Sequence, residues 1–233
     1  MDLQNRDLRN RHVVVTGGSG ALGAAVVRHL LAAGARCRIP VFHDGKGDRL
    51  AGVERVEVVP HCDLTDEADV TRLFAGIDDL WASIHLAGGF AMHAVTETTK
   101  ADLAQMLDVN LVSCYLCCRE ALRAFRGPGR IVNVAARPAL EPRSGGGISA
   151  YTASKAAVAA VTQAIAAEVV SRNVLVNAVA PSTIDTPANR AAMPRADFDA
   201  WPKPAEIAAT IAFLASPENT VTTGAIVPVY GRA

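Results

Sequence analysis

Tyr151 and Lys155 stand four residues apart in the segment Tyr151-Thr-Ala-Ser-Lys155. In a helix this spacing places both side chains on one face. A free phenol has a pKa of about 10 and is a poor acid-base group at neutral pH. A neighbouring ammonium favours the phenolate and lowers that pKa, so the pair could exchange a proton with a substrate oxygen or nitrogen. We therefore predict that Tyr151 and Lys155 are catalytic.

A glycine-rich turn near the start of the chain could hold a phosphate group. Gly18, Gly20 and Gly23 fit the pattern G-x-G-x-x-G between a predicted strand and a predicted helix. Glycine lets the backbone approach a pyrophosphate, and the helix N-terminus faces its negative charge. The turn opens the first of several βαβ units, which is the required context. The residues predicted to bind a dinucleotide here are Gly17, Gly18, Ser19, Gly20, Ala21, Leu22 and Gly23.

The end of the second predicted strand should select between NAD and NADP. An acidic residue there binds the ribose 2′-hydroxyl of NAD, whereas a basic one favours the 2′-phosphate of NADP. Val41 stands where the acid is expected, and Asp44 comes later. The basic residues that could meet a phosphate are His43, Lys46 and Arg49. The sequence leaves the preference open, and it places Phe42 and His43 beside the cofactor.

Alternating strands and helices must position these residues. The predicted strands are His12–Thr16, Arg36–Phe42, Val53–Pro60, Leu80–Ala87, Arg130–Ala135, Val174–Ala180 and Ala225–Val229. The predicted helices are Ala21–Ala33, Asp66–Ala75 (capped by Asp63 or Thr65), Lys100–Phe125, Ala150–Arg172 and Ala205–Ala215. This alternation implies βαβ crossovers. We predict one α/β domain over residues 1–233, of the Rossmann type and doubly wound, with a seven-stranded parallel sheet flanked by helices.

Short motifs along nearly the whole chain resemble those of the short-chain dehydrogenase/reductase family. They are Thr16–Gly23, Asp63-Leu64, Leu86-Ala87-Gly88-Gly89, Asn110, Ile131-Val-Asn-Val134, Tyr151-x-x-x-Lys155, Asn177-Ala-Val-Ala-Pro181 and Thr186. The resemblance implies an NAD- or NADP-dependent oxidoreductase in which Asn110 joins Tyr151 and Lys155 as a catalytic residue. Asn110 would hold a water that relays protons to Lys155, and Lys155 would also bind the nicotinamide ribose.

The same resemblance implies further cofactor contacts. Asp63, with Leu64 beside it, would meet the adenine amino group. Ala87, Gly88 and Gly89 would line the adenosine side. The residues that would hold the nicotinamide end are Pro181, Ile184 and Thr186. We therefore expect a small-molecule substrate and a homodimer or homotetramer paired through Lys100–Phe125 and Ala150–Arg172.

Two positions depart from the family pattern. The family usually has Asn-Asn-Ala-Gly where this chain has His85-Leu-Ala-Gly88. After Ile-Val-Asn-Val the family usually has Ser-Ser, and the second serine polarises the substrate carbonyl. This chain has Ala135-Ala136-Arg137. Losing such a donor can cost about 10²–10³ in rate. The site is therefore dead, uses another group such as Ser144 or Ser149, or acts on a substrate that needs less polarisation; Ser149 could instead cap its helix.

The segment Asp185 to Trp201 also resembles the corresponding loop of dihydropteridine reductases, which retain the Tyr and Lys and lack the Ser. Their quinonoid substrate needs little carbonyl polarisation. The alternative is that the two proteins share only a structural lid, and such a lid would explain the same match. Three functions stay open: a reductase of a small carbonyl, imine or quinonoid compound, a dihydropteridine reductase proper, or a dinucleotide-binding pseudoenzyme. We predict that residues 181–204 form a substrate loop, and the predicted substrate residues are Phe90, His93, Met193 and Trp201.

Composition excludes other classes of function. The formal net charge of +0 over 233 residues argues against a nucleic-acid-binding face. Met1 to Arg11 lacks the apolar core of a signal peptide, and no run approaches membrane-spanning length, so we expect a cytoplasmic protein without membrane contact.

The five cysteines and six histidines bear on disulfides and metals. An odd number of cysteines argues against a disulfide framework. Cys114-Tyr-Leu-Cys117-Cys118 resembles a metal-ligand spacing but has no second cluster, and buried thiols in an apolar helix act as small hydrophobes. The histidines are scattered without a pair at ligand spacing, so we predict no metal.

Overall fold

The computed structural model describes residues 8–43, 45, 47 and 50–233. Its strands are β1 (His12–Thr16), β2 (Arg36–Pro40), β3 (Val56–Val59), β4 (Leu80–His85), β5 (Gly129–Val134), β6 (Val174–Pro181) and β7 (Ile226–Val229). Its α-helices are α1 (Ala21–Ala32), α2 (Glu67–Phe74), α3 (Lys100–Leu107), α4 (Ser113–Ala124), α5 (Arg137–Leu140), α6 (Ser149–Val169), α7 (Pro187–Ala192) and α8 (Pro204–Ala215). The strands form one parallel sheet in the order β3-β2-β1-β4-β5-β6-β7, which confirms the predicted α/β fold.

Strand β1 shows why the sheet is covered on both faces. Successive side chains of a strand point to opposite faces. Val13 and Val15 lie in a core with Ile207 of α8, whereas Val14 lies in a second core with Val158 of α6. A continuous run of apolar residues is therefore buried on both sides, as in other parallel sheets.

The strand order reverses between β1 and β4, which are neighbours in the sheet. Open α/β sheets bind ligands in the crevice outside the carboxyl ends of the strands at such a reversal. The glycine-rich turn follows β1, and Ala87, Gly88 and Gly89 follow β4. The fold therefore brings two of the sequence motifs to one crevice.

The predicted boundaries lie within three residues of the observed ones, but the helix caps and interruptions were predicted less well. Helix α2 is capped by Asp66, whose side chain accepts the N–H groups of Ala68 and Asp69. The predicted caps Asp63 and Thr65 are wrong, because Asp63 Oδ1 accepts the N–H and the hydroxyl of Thr65.

The single helix predicted over Lys100–Phe125 is two helices joined by a π-helical turn. Helix α3 begins with a capping box between Thr99 and Asp102. The π-helical turn covers Asp108–Val112 and contains Asn110. Such turns interrupt the i→i−4 hydrogen bonds of an α-helix and are frequent at functional sites.

Two loops contain more structure than the sequence analysis predicted. The substrate loop of residues 181–204 was predicted to be irregular, but it contains α7 and a 3₁₀ turn at Phe198–Ala200. Helix α5 and a 3₁₀ turn at Pro142–Gly145 follow β5. Proline at the first or second position of α5, α7 and the Pro142 turn fits a helix start, where its missing N–H costs nothing.

Helix α6 and its 3₁₀ extension, Ser149–Arg172, are long and apolar enough by length and composition to cross a membrane, contrary to the sequence prediction. One such helix is weak evidence for a membrane span. Val158 and Ile165 of this helix lie in the core against the sheet. Ala160 and Ala164 are exposed, so the Ala-rich face of α6 that carries these two residues points away from the sheet.

Candidate active site

The glycine-rich turn after β1 packs directly on the backbone that follows β4. Gly17 has a φ of +67°, and a Cβ there would lie 2.8 Å from the backbone nitrogen of Ala87. A Cβ on Gly23 would lie 2.1 Å from the carbonyl oxygen of Gly17. Thr16 Oγ1 accepts the N–H of Ala87 at 3.2 Å. Glycine is therefore required at both positions by close backbone approach.

Helix α1 begins at Ala21 with an N-terminus that suits a phosphate. Gly20 occupies the cap position, no side chain of the described residues caps this end, and the first turn carries no acidic group. The first N–H groups of a helix lack intrahelical acceptors and lie at the positive end of its dipole. Ser19 is exposed beside the turn, and Leu22 packs on the core below it. These donors fit the pyrophosphate of a dinucleotide.

The side chains predicted near the adenosine lie at the carboxyl ends of β2 and β3. Phe42 is 55% exposed, and the Phe42 and His43 ring centroids are 4.8 Å apart. Asp63 lies in the middle of the loop after β3, and Leu64 packs on the core. Three residues weighed for the choice between NAD and NADP lie outside the described residues, namely Asp44, Lys46 and Arg49.

Asn110 links the loop after β4 to helix α6. Its Oδ1 accepts the N–H of Gly89, and its Nδ2 donates to the Gly89 carbonyl and to Ser154 Oγ, each at 3.1 Å. A Cβ on Gly88 would lie 2.5 Å from Asn110 Oδ1 and 3.3 Å from Lys155 Nζ. The structure therefore brings Gly88, Gly89, Asn110 and Lys155 together.

Lys155 is buried at the carboxyl end of β5. Its Nζ donates a hydrogen bond to the carbonyl oxygen of Val134 at 2.8 Å. Burial lowers the pKa of Lys155 from 10.5 to about 8, because desolvation penalises the ammonium. The buried amine of Lys155 therefore loses its proton more readily than an exposed lysine does.

Tyr151 lies one helical turn before Lys155 in α6, with Phe90 across from its ring. The two ring centroids are 5.0 Å apart with an interplanar angle of 76°, an edge-to-face contact. Burial raises the pKa of Tyr151 from 10.0 to about 12. The sequence analysis expected Lys155 to lower that pKa, and the direction is wrong for this structure. Desolvation is the cause, and the Lys155 amine is directed at Val134.

The substrate loop starts at Pro181 and is tied to the body of the domain. Ile184 packs on the core beside α1 and α8. Thr186 Oγ1 accepts the N–H of Asn189 and caps α7, and Asn189 Nδ2 donates to the carbonyl of Ile184. These contacts place Ile184 and Thr186 beyond the carboxyl end of β6.

An ion pair and two aromatic rings stabilise the middle of the substrate loop. Arg190 donates from Nε and Nη2 to the two carboxylate oxygens of Asp185, at 2.6 and 2.8 Å. The Arg190 guanidinium lies 4.7 Å from the centroid of the Phe198 ring, and Phe198 contacts Trp201 at 5.1 Å. The pKa of Asp185 is lowered, because Arg190 donates to its carboxylate.

Comparison with known proteins identifies the family. A family model described as enoyl-(acyl carrier protein) reductase matches residues 18–231. The chain belongs to the short-chain dehydrogenase/reductase family. The 3-oxoacyl-[acyl-carrier-protein] reductase MabA of Mycobacterium tuberculosis (strain ATCC 25618 / H37Rv) is 31% identical over 239 residues, which cover 95% of this chain and 92% of that protein.

Solved structures of this family superpose closely on the chain. The structure described as gox2181 has a TM-score of 0.91 and 27% identity, over 99% of this chain and 98% of that one. The structure described as ElxO with NADP bound has a TM-score of 0.87 and 25% identity, over 95% of this chain and 98% of that one. The family match and the relatives named as reductases and dehydrogenases identify the protein as an oxidoreductase.

The serine expected in a short-chain dehydrogenase/reductase after β5 is replaced by buried alanines. Ala135 and Ala136 are 1% and 5% exposed. Ser144 and Ser149 were the predicted substitutes for the missing serine hydroxyl, and both are engaged elsewhere. Ser144 Oγ donates to the carbonyl of Glu141, and Ser149 lines a small hollow with His93. The predicted cap role of Ser149 is wrong, because Ile148 occupies the N-cap position of α6.

The predicted substrate residues occupy different places in this short-chain dehydrogenase/reductase. Phe90 is 60% exposed and contacts Tyr151, and Met193 is exposed at the end of α7. His93 lines a small hollow that includes Asp102 of α3. Trp201 is 8% exposed and lines a cavity of about 660 Å³ whose other walls come from residues 199–210 and 229–232. Phe90 is therefore the predicted substrate residue that the structure places at Tyr151.

Sequence reasoning missed a buried polar network at the end of β4. His85, which stands where relatives usually have Asn, lies between Ser83 Oγ at 2.7 Å and Asn133 Oδ1 at 2.8 Å. Cys118 Sγ lies 3.5 Å from His85 Nδ1, and Cys114 completes the group. The hydrogen bond from Cys118 lowers the pKa of Cys114. The signal available in the sequence was the departure at His85, but its pairing with the cysteines depends on the sheet register.

Proposed function

We propose that this protein transfers a hydride between NAD or NADP and a small carbonyl, imine or quinonoid substrate, with Tyr151 as the acid-base group. The observation that carries the proposal is the convergence of Asn110, Gly88 and Lys155 beside the α1 N-terminus, at the carboxyl edge of the sheet. NADP in the related ElxO structure supports the cofactor class.

The residues that would hold the cofactor follow the crevice. The turn Gly17–Gly23 would bind the pyrophosphate through backbone N–H groups. Asp63 would meet the adenine, with Phe42, His43 and Leu64 nearby. Ala87 to Gly89 would line the adenosine side. Pro181, Ile184 and Thr186 would border the nicotinamide, and Lys155 would bind its ribose.

Tyr151 would move the proton that accompanies the hydride. When bound, the nicotinamide supplies or accepts the hydride. In the direction of reduction, the Tyr151 hydroxyl donates its proton to the substrate oxygen or nitrogen. The ammonium of Lys155, which in this structure donates to the Val134 carbonyl, would have to turn toward Tyr151 to stabilise the resulting phenolate. A water held at Asn110 would return the proton from solvent through Lys155. Burial raises the pKa of Tyr151 to about 12, which keeps its hydroxyl protonated as the donor.

A substrate would lie beside the Tyr151 hydroxyl, against the exposed part of the Phe90 ring. Phe90 is exposed and presents an apolar surface beside the acid-base group. Apolar walls with few polar groups are typical of sites for small molecules. The arrangement favours a flat or apolar substrate.

Two measurements test the cofactor step. NADH and NADPH are titrated against protein fluorescence with wild type, Gly23→Ala and Gly127→Ala. Gly23→Ala should lose binding, because its Cβ would lie 2.1 Å from the Gly17 carbonyl, whereas a Cβ on Gly127 meets nothing within 4 Å. If wild type binds neither cofactor, or if Gly23→Ala binds as wild type does, the proposed site is wrong.

The catalytic step is tested separately. Oxidation of the bound cofactor is followed with quinonoid dihydropterin and a panel of ketones, with Tyr151→Phe as the control. Turnover by wild type that is lost in Tyr151→Phe supports the proposal. Cofactor binding with equal inertness of both proteins on every substrate would favour a pseudoenzyme that binds a dinucleotide.

A second candidate function is quinonoid dihydropteridine reductase. The observation that favours it is the pair of buried alanines after β5, Ala135 and Ala136, which present no hydroxyl to a carbonyl. A quinonoid ring system is already electron-poor and needs little polarisation. The loop resemblance is less decisive, because Arg190 and Trp201 are engaged in packing within the loop. If the wild-type protein turns over the dihydropterin and turns over no ketone, this function is selected.

We also propose a homo-oligomer, since the Ala-rich face of α6 is directed outward. Ala160 and Ala164 are exposed on that face, and Tyr115 of α4 is 49% exposed. Small side chains allow two helices to approach closely. Light scattering on the purified protein distinguishes monomer, dimer and tetramer, and Ala160→Glu should dissociate an assembly formed through α6.

A further inference from the structure

Three potential metal ligands converge beneath the proposed active site. His85 ends β4, and Cys114 and Cys118 stand four residues apart on α4. One ring nitrogen of His85 and the two Sγ atoms all lie within 4.8 Å of one another, and all three residues are buried. The four-residue spacing puts both thiols on the helix face that covers β4. Strand β4 and helix α4 together bring two thiol groups and one imidazole to the same place.

One distance in this group matches the geometry around a tetrahedral zinc ion. Zn–S and Zn–N bonds of about 2.3 and 2.0 Å give an S···N edge of about 3.5 Å and an S···S edge of about 3.8 Å. The observed distance from Cys118 Sγ to His85 Nδ1 is 3.5 Å. Binding therefore needs little rearrangement of this pair.

Neighbouring polar groups orient the donors. Asn133 Oδ1 lies 2.8 Å from His85 Nδ1 and 3.6 Å from Cys118 Sγ. Asn133 Nδ2 donates to Thr162 Oγ1, so the oxygen is the Asn133 atom directed at the cluster. Ser83 Oγ contacts the other nitrogen of His85 and can accept its N–H when Nδ1 is a ligand. Metal-bound histidines usually have such a partner on the second nitrogen.

We propose that His85 Nδ1, Cys114 Sγ and Cys118 Sγ bind one Zn²⁺, with Asn133 Oδ1 as an oxygen donor. Two thiolates neutralise a divalent cation, which suits a buried position where an uncompensated charge is costly. The donor set of sulfur and imidazole matches zinc. The site does not depend on the reaction proposed above.

Bound zinc would fix the start of α4 to the end of β4. Cys114 comes four residues after Asn110, and the charge of Lys155 acts on Cys114. Zinc would therefore modulate the positions of Asn110 and Lys155 from below, without contact with cofactor or substrate. Entry requires local opening of a buried site, so loading should be slow.

Cadmium is the probe for this site, because thiolate-to-cadmium charge transfer gives an ultraviolet absorption band. Purified native protein is incubated with Cd²⁺ until the absorbance is constant, for wild type, Cys114→Ser, Cys118→Ser, His85→Asn and Cys117→Ser. Cys117 is the matched control, since it is buried on the same helix but outside the group. His85→Asn introduces the residue usual in the family and keeps both thiols.

The band should saturate at one equivalent in wild type and Cys117→Ser. It should be lost in Cys114→Ser and Cys118→Ser, and the affinity of His85→Asn should fall by at least about 10–100-fold. Prior addition of Zn²⁺ should block the band, and saturating Zn²⁺ should raise the wild-type Tm by roughly 5–10 °C. No stoichiometric band in wild type would overturn the proposal. Equal bands in wild type, Cys114→Ser and Cys118→Ser would also overturn it.

Discussion

Asn110 and Gly89 exchange two hydrogen bonds, each 3.1 Å long, between a side-chain amide and the backbone of the loop after β4. The side-chain amide of Asn110 both accepts from and donates to the backbone of Gly89, as a peptide group of a neighbouring strand would. It fixes the loop that follows β4 against the π-helical turn, and Asn110 Nδ2 extends the contact to Ser154 of α6. Lys155, the next residue, is thereby held at the crevice.

Substituting alanine at Gly88 should disturb this arrangement. The new Cβ would lie 2.5 Å from Asn110 Oδ1, closer than real Cβ contacts allow. We expect kcat/KM to fall by about 10²-fold, since a displacement of about 1 Å at a catalytic group can cost that much. Steady-state kinetics of Gly88→Ala and Gly127→Ala check this, and equal activity of the two variants would contradict the assigned packing.

Restoring a hydroxyl after β5 should favour ketone substrates. Ala136 has an extended backbone that accepts serine, with φ of −160°. Ala136→Ser should raise ketone turnover, by up to about 10²–10³-fold if the missing donor limits that chemistry. Ala135→Ser is the control, because the Ala135 side chain packs in a small apolar cluster with Ala159 and Ala178. Unchanged ketone kinetics in Ala136→Ser would argue against this explanation.

The pH dependence of reduction should follow Lys155. Its pKa of about 8 means that the ammonium is present below that pH and is lost as pH rises. Tyr151, with a pKa of about 12, stays protonated over the same range. We expect kcat/KM for the reduced cofactor to fall as pH rises through about 8, since this parameter reports groups of the free enzyme. A profile that is flat through that pH would contradict the role given to Lys155.

The Asp185–Arg190 pair should control substrate binding through the loop. Arg190→Lys keeps the charge but cannot form the two parallel hydrogen bonds to the carboxylate. We expect KM for the substrate to rise about threefold to tenfold, the effect of losing a partly hydrated hydrogen bond, with a smaller change in kcat. Asp199→Asn, in the same loop, serves as the control. A change confined to kcat would mean that the pair acts on the chemical step instead.

Local patterns in the sequence were enough to predict the fold. Apolar strands, helical spacing and the glycine-rich turn predicted a parallel sheet, and the strand order that brings Gly17 beside Ala87 follows from that topology. Residues that act through backbone contacts within one motif, such as Gly23, were also predictable. Each of these features depends on residues that are close together in the sequence or that follow the end of the same strand.

Features that depend on tertiary packing were not predictable in the same way. The π-helical turn at Asn110 was missed, because the apolar spacing of Lys100–Phe125 was interpreted as one continuous helix. The direction of the Tyr151 pKa depends on burial, which sequence spacing does not measure. His85 meets Cys118 across 33 residues of chain through the register of β4 under α4. The burial of Trp201 beside residues 229–232 likewise depends on tertiary packing.

Single-turnover oxidation of bound NADH or NADPH by Tyr151→Phe tests the central claim most directly. The variant keeps the ring that contacts Phe90 and removes only the hydroxyl. With a substrate that wild type turns over, the account predicts unchanged cofactor affinity and a rate lower by about 10²–10⁴-fold. A Tyr151→Phe rate equal to that of wild type would contradict the assignment of Tyr151 as the acid-base group.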